Sequence, residues 1–137
     1  MIKSFITNPK KLFLMDALGA MISAVLLGIV LVKLEDVFGI PRKTLYFLAG
    51  LPILFTVYDL ICLTKDKSNV GPFLKVIGIV NIVYCCISIG TTVYHFKTIT
   101  IFGYLYIIIE VIITFSLALF EYKIGSKVSK RNSEKQN

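Results

Sequence analysis

The chain has 137 residues, of which 56% are hydrophobic and 17% are charged, and its mean hydropathy is +0.81. A soluble domain of this size would leave too much apolar surface in water, so the composition excludes a soluble globular protein and predicts an integral membrane protein. The net charge is +7, but the basic, aromatic-rich surface typical of nucleic-acid binding is absent, and we expect no nucleic-acid partner. We expect the positive charge to set membrane orientation and to contact the anionic headgroups of membrane lipids.

Four apolar segments are each long enough to cross a bilayer whose hydrocarbon core is about 30 Å thick. We predict an all-α fold, a four-helix transmembrane bundle, formed by residues 12–124 between an N-terminal lead (1–11) and a flexible basic tail (125–137). Gly125 is expected to end the last helix. The predicted helices cover residues of about 12–33, 44–64, 72–96 and 99–123.

Between Leu12 and Val32 the first predicted helix carries a single charge, Asp16. It is longer than the core of a signal peptide, which has about 7–15 residues, so we expect it to be retained. Small residues recur every four positions at Ala20, Ala24 and Gly28. This spacing lets another helix approach closely, and we expect that helix to come from the same chain rather than from a second copy.

Proline and glycine mark the breaks between the predicted helices. Gly39 and Pro41 are expected to interrupt the chain after the first helix, and Pro72 to begin the third. Lys97 and Thr98 leave only a tight connection before the fourth helix. We therefore predict that the third and fourth helices are antiparallel neighbours.

Lysine and arginine are unevenly divided between the two sides of the predicted bundle. Four helices place both termini on one side, where the lead, the second connection and the tail together carry eleven basic residues, against four on the other side. Cytoplasmic segments are enriched in these residues, so we expect both termini in the cytoplasm. We expect the protein in the plasma (inner) membrane. The eleven are Lys3, Lys10, Lys11, Lys65, Lys67, Lys75, Lys123, Lys127, Lys130, Arg131 and Lys135.

Each predicted helix has one small or polar face and one face of large apolar residues when it is drawn at 100° per residue. In a bilayer the polar faces are expected to turn toward one another. The four faces consist of Asp16, Gly19, Ala20 and Ser23; Ala49, Pro52, Thr56 and Asp59; Gly78, Asn81, Cys85, Ser88, Thr92 and His95; and Gly103, Tyr106, Glu110, Thr114 and Glu121.

Glu110 is the centre of this polar constellation, because no other charge occurs between Ile99 and Glu121. A charged side chain near the middle of the bilayer costs on the order of 3 kcal/mol, so Glu110 is expected to face protein, water or a partner. Burial away from water favours a neutral carboxyl group, and we predict that Glu110 can exchange a proton near neutral pH. By helical rise, Asp16 and Asp59 share a level nearer the cytoplasmic end.

Two interpretations of the polar side chains remain open. In the functional one, Glu110 is the protonatable centre of a route for protons or a cation, with Asp59 and Asp16 as an inner relay. In the structural one, Glu110 bonds to Tyr84, Asn81 or Ser88, and Asp59 pairs with Lys75. The intramembrane candidates for proton exchange are Glu110, Asp59, Asp16, Asn81, Tyr84 and Ser88.

Patterns of soluble enzymes and of resident cofactors are absent from the sequence. There is no nucleophile elbow, phosphate-binding loop or HExxH motif, and a single histidine cannot form a two-histidine metal site. His95 is expected at the membrane boundary, and Cys85 and Cys86 are expected to be small packing residues. We expect no enzyme, no cofactor and no metal, although an enzyme acting on a lipid or quinone in the membrane remains a third possibility.

The first functional hypothesis is a small proton- or cation-linked transporter or channel-like protein, acting as a homo-oligomer because four helices enclose little room. The size and the midplane carboxylate resemble those of small multidrug-resistance transporters. The resemblance is one of architecture, because their key glutamate is on the first helix and Glu110 is on the fourth. The alternative is an accessory or scaffold subunit that packs against another membrane protein.

Overall fold

Four helices in the structure are long and apolar enough to span a membrane, as the apolar segments predicted. The structure is a computed structural model that describes residues 2–65 and 69–136, and this part of the chain is almost entirely helical and contains no strand. Lys67, in the predicted second connection, lies outside the described residues. The spanning helices are α2 (Lys10–Lys33), α4 (Arg42–Cys62), α5 (Gly71–Tyr94) and α6 (Ile101–Gln136), with short helices α1 (Ile2–Thr7) and α3 (Glu35–Phe38) on either side of α2.

The last helix differs from the prediction at its C-terminal end. The prediction that Gly125 ends this helix is wrong, because α6 continues through it to Gln136. A Cβ atom at Gly125 would lie 2.8 Å from the carbonyl oxygen of Gly71, so this glycine permits close packing against α5. Ile124 and Val128 are buried in the apolar cluster around it. Their burial explains why the segment predicted as a flexible tail is helical here.

The N-terminal lead folds onto the same end of the bundle. Helix α1 packs against α6, and the rings of Phe5 and Phe120 meet edge to face with their centroids 5.2 Å apart. Pro9 precedes α2, where its fixed backbone angle suits a helix start. Both ends of the described chain therefore lie at one end of the bundle.

The connection between α2 and α4 is fixed against the beginning of α6. Gly39 has a φ of 71°, and a Cβ atom there would meet the backbone of Thr98 and Thr100. The Thr100 backbone N–H donates to the Phe38 carbonyl at 3.1 Å. The predicted interruption at Gly39 and Pro41 is confirmed, since one helix ends at Phe38 and the next begins at Arg42. Glycine suits position 39 because it alone combines this left-handed conformation with so close a backbone neighbour.

The bundle consists of two helical hairpins. Helix α2 packs along α4, and α5 packs along α6, which confirms that the third and fourth spans are neighbours. Contact between the hairpins is much smaller, because α4 approaches α5 at few positions and the backbones of α2 and α6 barely approach each other. A crevice therefore remains between α2 and α6.

Two apolar clusters lie toward the two ends of the bundle, and the buried polar side chains lie mostly between them. Between the two clusters, each spanning helix turns its small or polar residues toward the other helices. Its other face carries large apolar side chains, which are exposed on the outside of the bundle and suited to lipid. One cluster contains Leu12, Phe13, Cys62, Val70, Leu74, Ile77, Ile124 and Val128. The other contains Leu27, Leu31, Val32, Ile40, Leu45, Leu48, Ala49, Tyr84, Ile99 and Ile107.

Replacing Gly78 by alanine is expected to destabilise the protein by about 1 kcal/mol, because the added methyl group overpacks the α5–α6 interface. Its Cβ would lie 2.9 Å from the Ala118 carbonyl oxygen and 3.2 Å from the Tyr122 backbone nitrogen. Gly90→Ala is the matched control on the same helix, because nothing lies within 4 Å of that position. Unfolding titrations in bicelles measure both variants, and equal effects would contradict overpacking as the cause.

Candidate functional site

A cavity of about 360 Å³ occupies the crevice between α2 and α6. All four spanning helices contribute to its wall, which is mostly apolar. Ile22, Ile109 and Ile113 flank it and are 60%, 56% and 62% exposed. Exposed isoleucines on helices that can span a membrane are suited to contact with acyl chains, so the crevice opens on a side of the bundle that lipid could reach. The polar side chains in the wall are Asp16, Ser23, Asn81, Tyr84, Tyr106, Glu110 and Thr114.

Glu110 points into this crevice and is only 7% exposed. Its Oε1 accepts hydrogen bonds from the Tyr84 hydroxyl at 2.9 Å and the Ser23 hydroxyl at 3.2 Å. Its Oε2 has no hydrogen-bond partner in the described part of the chain. No basic side chain there forms an ion pair with it, so one oxygen of the carboxyl group is hydrogen-bonded and the other is buried and unpaired.

The partners of Glu110 match the sequence expectations in part. Tyr84 was expected to bond to it and does, whereas Asn81 bonds to other carboxyl groups. Ser88 does not line the cavity, and its buried hydroxyl oxygen lacks a partner within the described residues. Ser23 was not predicted as a partner, although its place on the polar face of the first helix was a usable signal.

Asn81 joins two acidic side chains from opposite hairpins. Its side-chain Nδ2 donates to Asp16 Oδ1 on α2 and to Glu121 Oε2 on α6, each at 3.1 Å. All three side chains are at most 4% exposed. Asp16 and Asn81 line the crevice, so this bridge closes one end of it.

Asp59 is a third carboxyl group at the same level. It is completely buried, lies against Asp16 and is within electrostatic range of Glu121. Neither of its oxygens has a hydrogen-bond partner among the described residues, and the same is true of Asp16 Oδ2 and Glu121 Oε1. We refer to Asp16, Asp59 and Glu121 as the carboxyl cluster.

The carboxyl cluster cannot carry three full negative charges in this environment. Because both accepting oxygens lie 3.1 Å from Asn81 Nδ2, those of Asp16 and Glu121 are at most about 6 Å apart. Two like charges at about 6 Å repel by about 3 kcal/mol at an effective dielectric constant of about 20. Bound protons relieve this repulsion and supply the donors that the unpaired oxygens lack.

The predicted ion pair between Asp59 and Lys75 is wrong. The ion pair that the described residues form joins Arg42 and Glu35 in an exposed connection. Lys75 is only partly buried on α5, and Asp59 faces Asp16 across the α2–α4 interface instead. The pairing of α2 with α4 places the two aspartates together, which a single helix pattern cannot reveal.

Glu121 is the site residue whose role the sequence reasoning missed. It was placed on the polar stripe of the fourth helix, but it was not among the candidates for proton exchange. Its spacing from Glu110 is eleven residues, or three helical turns, so the two carboxyl groups share a helix face. They lie about 16 Å apart along the axis, one at the Tyr84 end of the crevice and the other in the carboxyl cluster.

The remaining candidates have local roles in the structure. His95 Nε2 lies 3.0 Å from the Thr44 hydroxyl at the opposite end of the bundle. Cys85 is buried and Cys86 is exposed, so the two sulfurs do not converge on one site. Across residues 2–65 and 69–136, no group of three or more His, Cys, Asp or Glu side chains is arranged to hold a metal ion.

Comparison with protein-family models, with curated proteins and with solved structures yields no match to this chain.

Replacing Tyr84 by phenylalanine is expected to raise the infrared stretching frequency of the protonated Glu110 carboxyl, because one of two hydrogen bonds to Oε1 is lost. Tyr106→Phe is the matched control: Tyr106 lines the same cavity but has no hydrogen bond to Glu110 in the described structure. Difference spectra against Glu110→Gln assign the band. An unchanged band in Tyr84→Phe would contradict the hydrogen bond.

Proposed function

We propose that this protein is a proton- or cation-linked transporter or channel-like membrane protein in which Glu110 is the protonatable centre. The observation that carries the proposal is the hydrogen bonding of Glu110: Tyr84 and Ser23 donate to one oxygen, and the other oxygen is buried beside the crevice without a partner among the described residues. A carboxyl group with a purely structural role is expected to have its hydrogen-bonding capacity used, because unpaired buried polar atoms are destabilising.

The crevice supports this proposal because it gives Glu110 a place to meet a solute. Its volume of about 360 Å³ accommodates several water molecules, each of which occupies about 30 Å³ in the liquid. Its wall offers acidic groups at both ends and no basic group among the described lining residues. A cation or a proton carried by water is the chemistry that such a surface favours.

We propose that both termini face the cytoplasm and that the membrane is the plasma (inner) membrane. The support for this orientation is the distribution of basic residues, eleven on the side of the termini against four on the other side. Helix α6 is about 54 Å long at 1.5 Å per residue, so its C-terminal part extends well beyond a hydrocarbon core of about 30 Å. Its basic residues then lie at the headgroups or outside the membrane.

The open side of the crevice also favours assembly with another chain. A second copy that covers the gap between α2 and α6 would shield Glu110 from lipid, which is why we propose a homo-oligomer as the transporting unit. The same opening supports the second candidate function, an accessory subunit, in which a helix of another membrane protein fills the crevice. A stoichiometric partner that protects the crevice from labelling, together with absence of flux, would favour this second function.

The test of the proposed function uses the intact protein in liposomes. An inward or outward proton gradient is applied, and movement of inorganic and organic cations and of protons themselves is followed with ion-selective and pH-sensitive dyes. We expect flux of at least one species that depends on the proton gradient. Infrared titration of the same sample should show the Glu110 carboxyl band changing with pH, and a band that stays constant at every pH would contradict a proton-exchanging role.

A further inference from the structure

We propose that the carboxyl cluster is a second proton-binding site, separate from Glu110, that latches the two helical hairpins together. When protons occupy it, Asp16 and Asp59 share one, and the Asn81 bridge holds this pair next to Glu121 across the hairpin boundary; when the protons leave, like charges repel and the crevice widens. The proton site itself does not depend on the function proposed above, whereas its effect on transport rests on that function.

The placement of the cluster supports a latch because it crosses the weakest interface of the bundle. Asp16 and Asp59 belong to the α2–α4 hairpin, whereas Asn81 and Glu121 belong to the α5–α6 hairpin. Direct packing between the hairpins is sparse, so the bridge from Asn81 to Asp16 is a prominent contact between them. A change of charge at this position therefore acts where the hairpins are least held by apolar packing.

Asp59 provides an independent reason to expect a bound proton. It is fully buried, it lies against the Asp16 carboxyl group, and both of its oxygens are without a hydrogen-bond partner in the described structure. An ionised carboxylate in such a place would be desolvated and uncompensated. A proton shared by Asp59 and Asp16 supplies the hydrogen bond that no neighbouring group donates.

The other groups around the cluster do not neutralise it. None of them forms an ion pair with a cluster carboxyl in the described part of the chain. Tyr58 and Cys62 interact with Asp59, and Lys65 interacts with Cys62 at the end of α4. The titratable and charged groups that face the cluster are Asp16 from α2, Tyr58, Asp59, Cys62 and Lys65 from α4 and the residues after it, and Glu121 from α6, with the neutral Asn81 from α5.

The latch connects directly to the crevice. Asp16 and Asn81 belong both to the bridge and to the cavity wall. Repulsion among the ionised carboxyl groups is expected to move the hairpins apart and so to break the bridge that closes this end of the cavity, which would admit water or a solute from the side of the termini. Glu110 lies about 16 Å away along α6, so the two proton sites are distinct and can be tested separately.

The test measures the separation of the hairpins as a function of pH. Spin labels are placed at Ile61 on α4 and Lys123 on α6, which are both exposed, in a background with Cys62, Cys85 and Cys86 replaced by alanine. In liposomes, we expect the inter-label distance to lengthen reversibly as pH rises from mildly acidic to alkaline. The Asp16→Asn, Asp59→Asn, Glu121→Gln triple variant is expected to keep the short distance at every pH, and a wild-type distance independent of pH would overturn the proposal.

Further variants test whether the pH response originates in the carboxyl cluster. Glu134→Gln changes an exposed acid on α6 and should leave the pH response intact. If the triple variant does not fold, the single variant Asp59→Asn replaces it. Infrared titration of the unlabelled wild type should then show carboxyl bands that are missing from Asp59→Asn. A response to sodium instead of pH would overturn the assignment to protons. Glu110→Gln should retain the pH-dependent distance; if it does while the wild type moves no solute, the latch stands and the proposed transport function fails.

Discussion

Glu110→Gln is expected to reduce proton-coupled flux to the leak of protein-free liposomes. Glutamine has nearly the same shape, and its side-chain oxygen can still accept the bonds that Tyr84 and Ser23 donate to Oε1. It cannot bind and release a proton, so the centre of the proposed cycle is lost without a change in packing. Flux is measured with a pH-sensitive dye inside the liposomes, at protein densities matched between wild type and variant.

Two further variants make the loss of flux interpretable. Glu134→Gln changes the same chemical group on the exposed end of α6 and should transport at the wild-type rate. Glu110→Asp keeps a protonatable group but withdraws it from Tyr84, so we expect reduced flux with an altered pH profile. Wild-type flux through Glu110→Gln would contradict the central role of this carboxyl group, and the accessory-subunit function would then be the better one.

Asn81→Leu is expected to have the largest effect on stability, a loss of about 2–4 kcal/mol. The amide donates to Asp16 and Glu121 at once, and leucine leaves both buried oxygens without a donor, at about 1–3 kcal/mol for each unsatisfied group. Interhelical hydrogen bonds in membranes are weaker on average, about 0.6 kcal/mol, which keeps the expected loss toward the lower end. Unfolding titrations in bicelles at fixed pH measure the difference.

Ser88→Ala is the matched control for this variant. Ser88 is on the same helix and is also completely buried, but its hydroxyl oxygen has no hydrogen-bond partner among the described residues. Removing it should leave stability unchanged or slightly higher, because an unpaired buried hydroxyl is destabilising. If Asn81→Leu were as harmless as Ser88→Ala, the amide bridge between the hairpins would carry no energetic weight.

The inward orientation of the polar side chains was predictable because it depends on one helix at a time. The 100° spacing along the fourth span placed Glu110 and Glu121 on one face, and the structure buries both. The same reasoning grouped Asp16 with Ser23 and Asn81 with Cys85. The C-terminal end of α6 was predicted wrongly because Gly125 was interpreted as a helix stop, whereas contact with Gly71 across the α5 interface makes it a packing residue.

Composition and periodicity were enough to predict four helices long and apolar enough to span a membrane, and the inward placement of Asp16, Asp59, Asn81 and Glu110 on them, since these properties belong to single segments. The arrangement of the helices into two hairpins, the crevice between α2 and α6, and the meeting of Asp16, Asp59 and Glu121 came from packing alone. Helical spacing fixes a side chain's angle about its own axis. Which helices become neighbours depends on close contacts such as those of Gly28 with Ala49 and Gly78 with Ala118, and a single helix pattern carries no information about them.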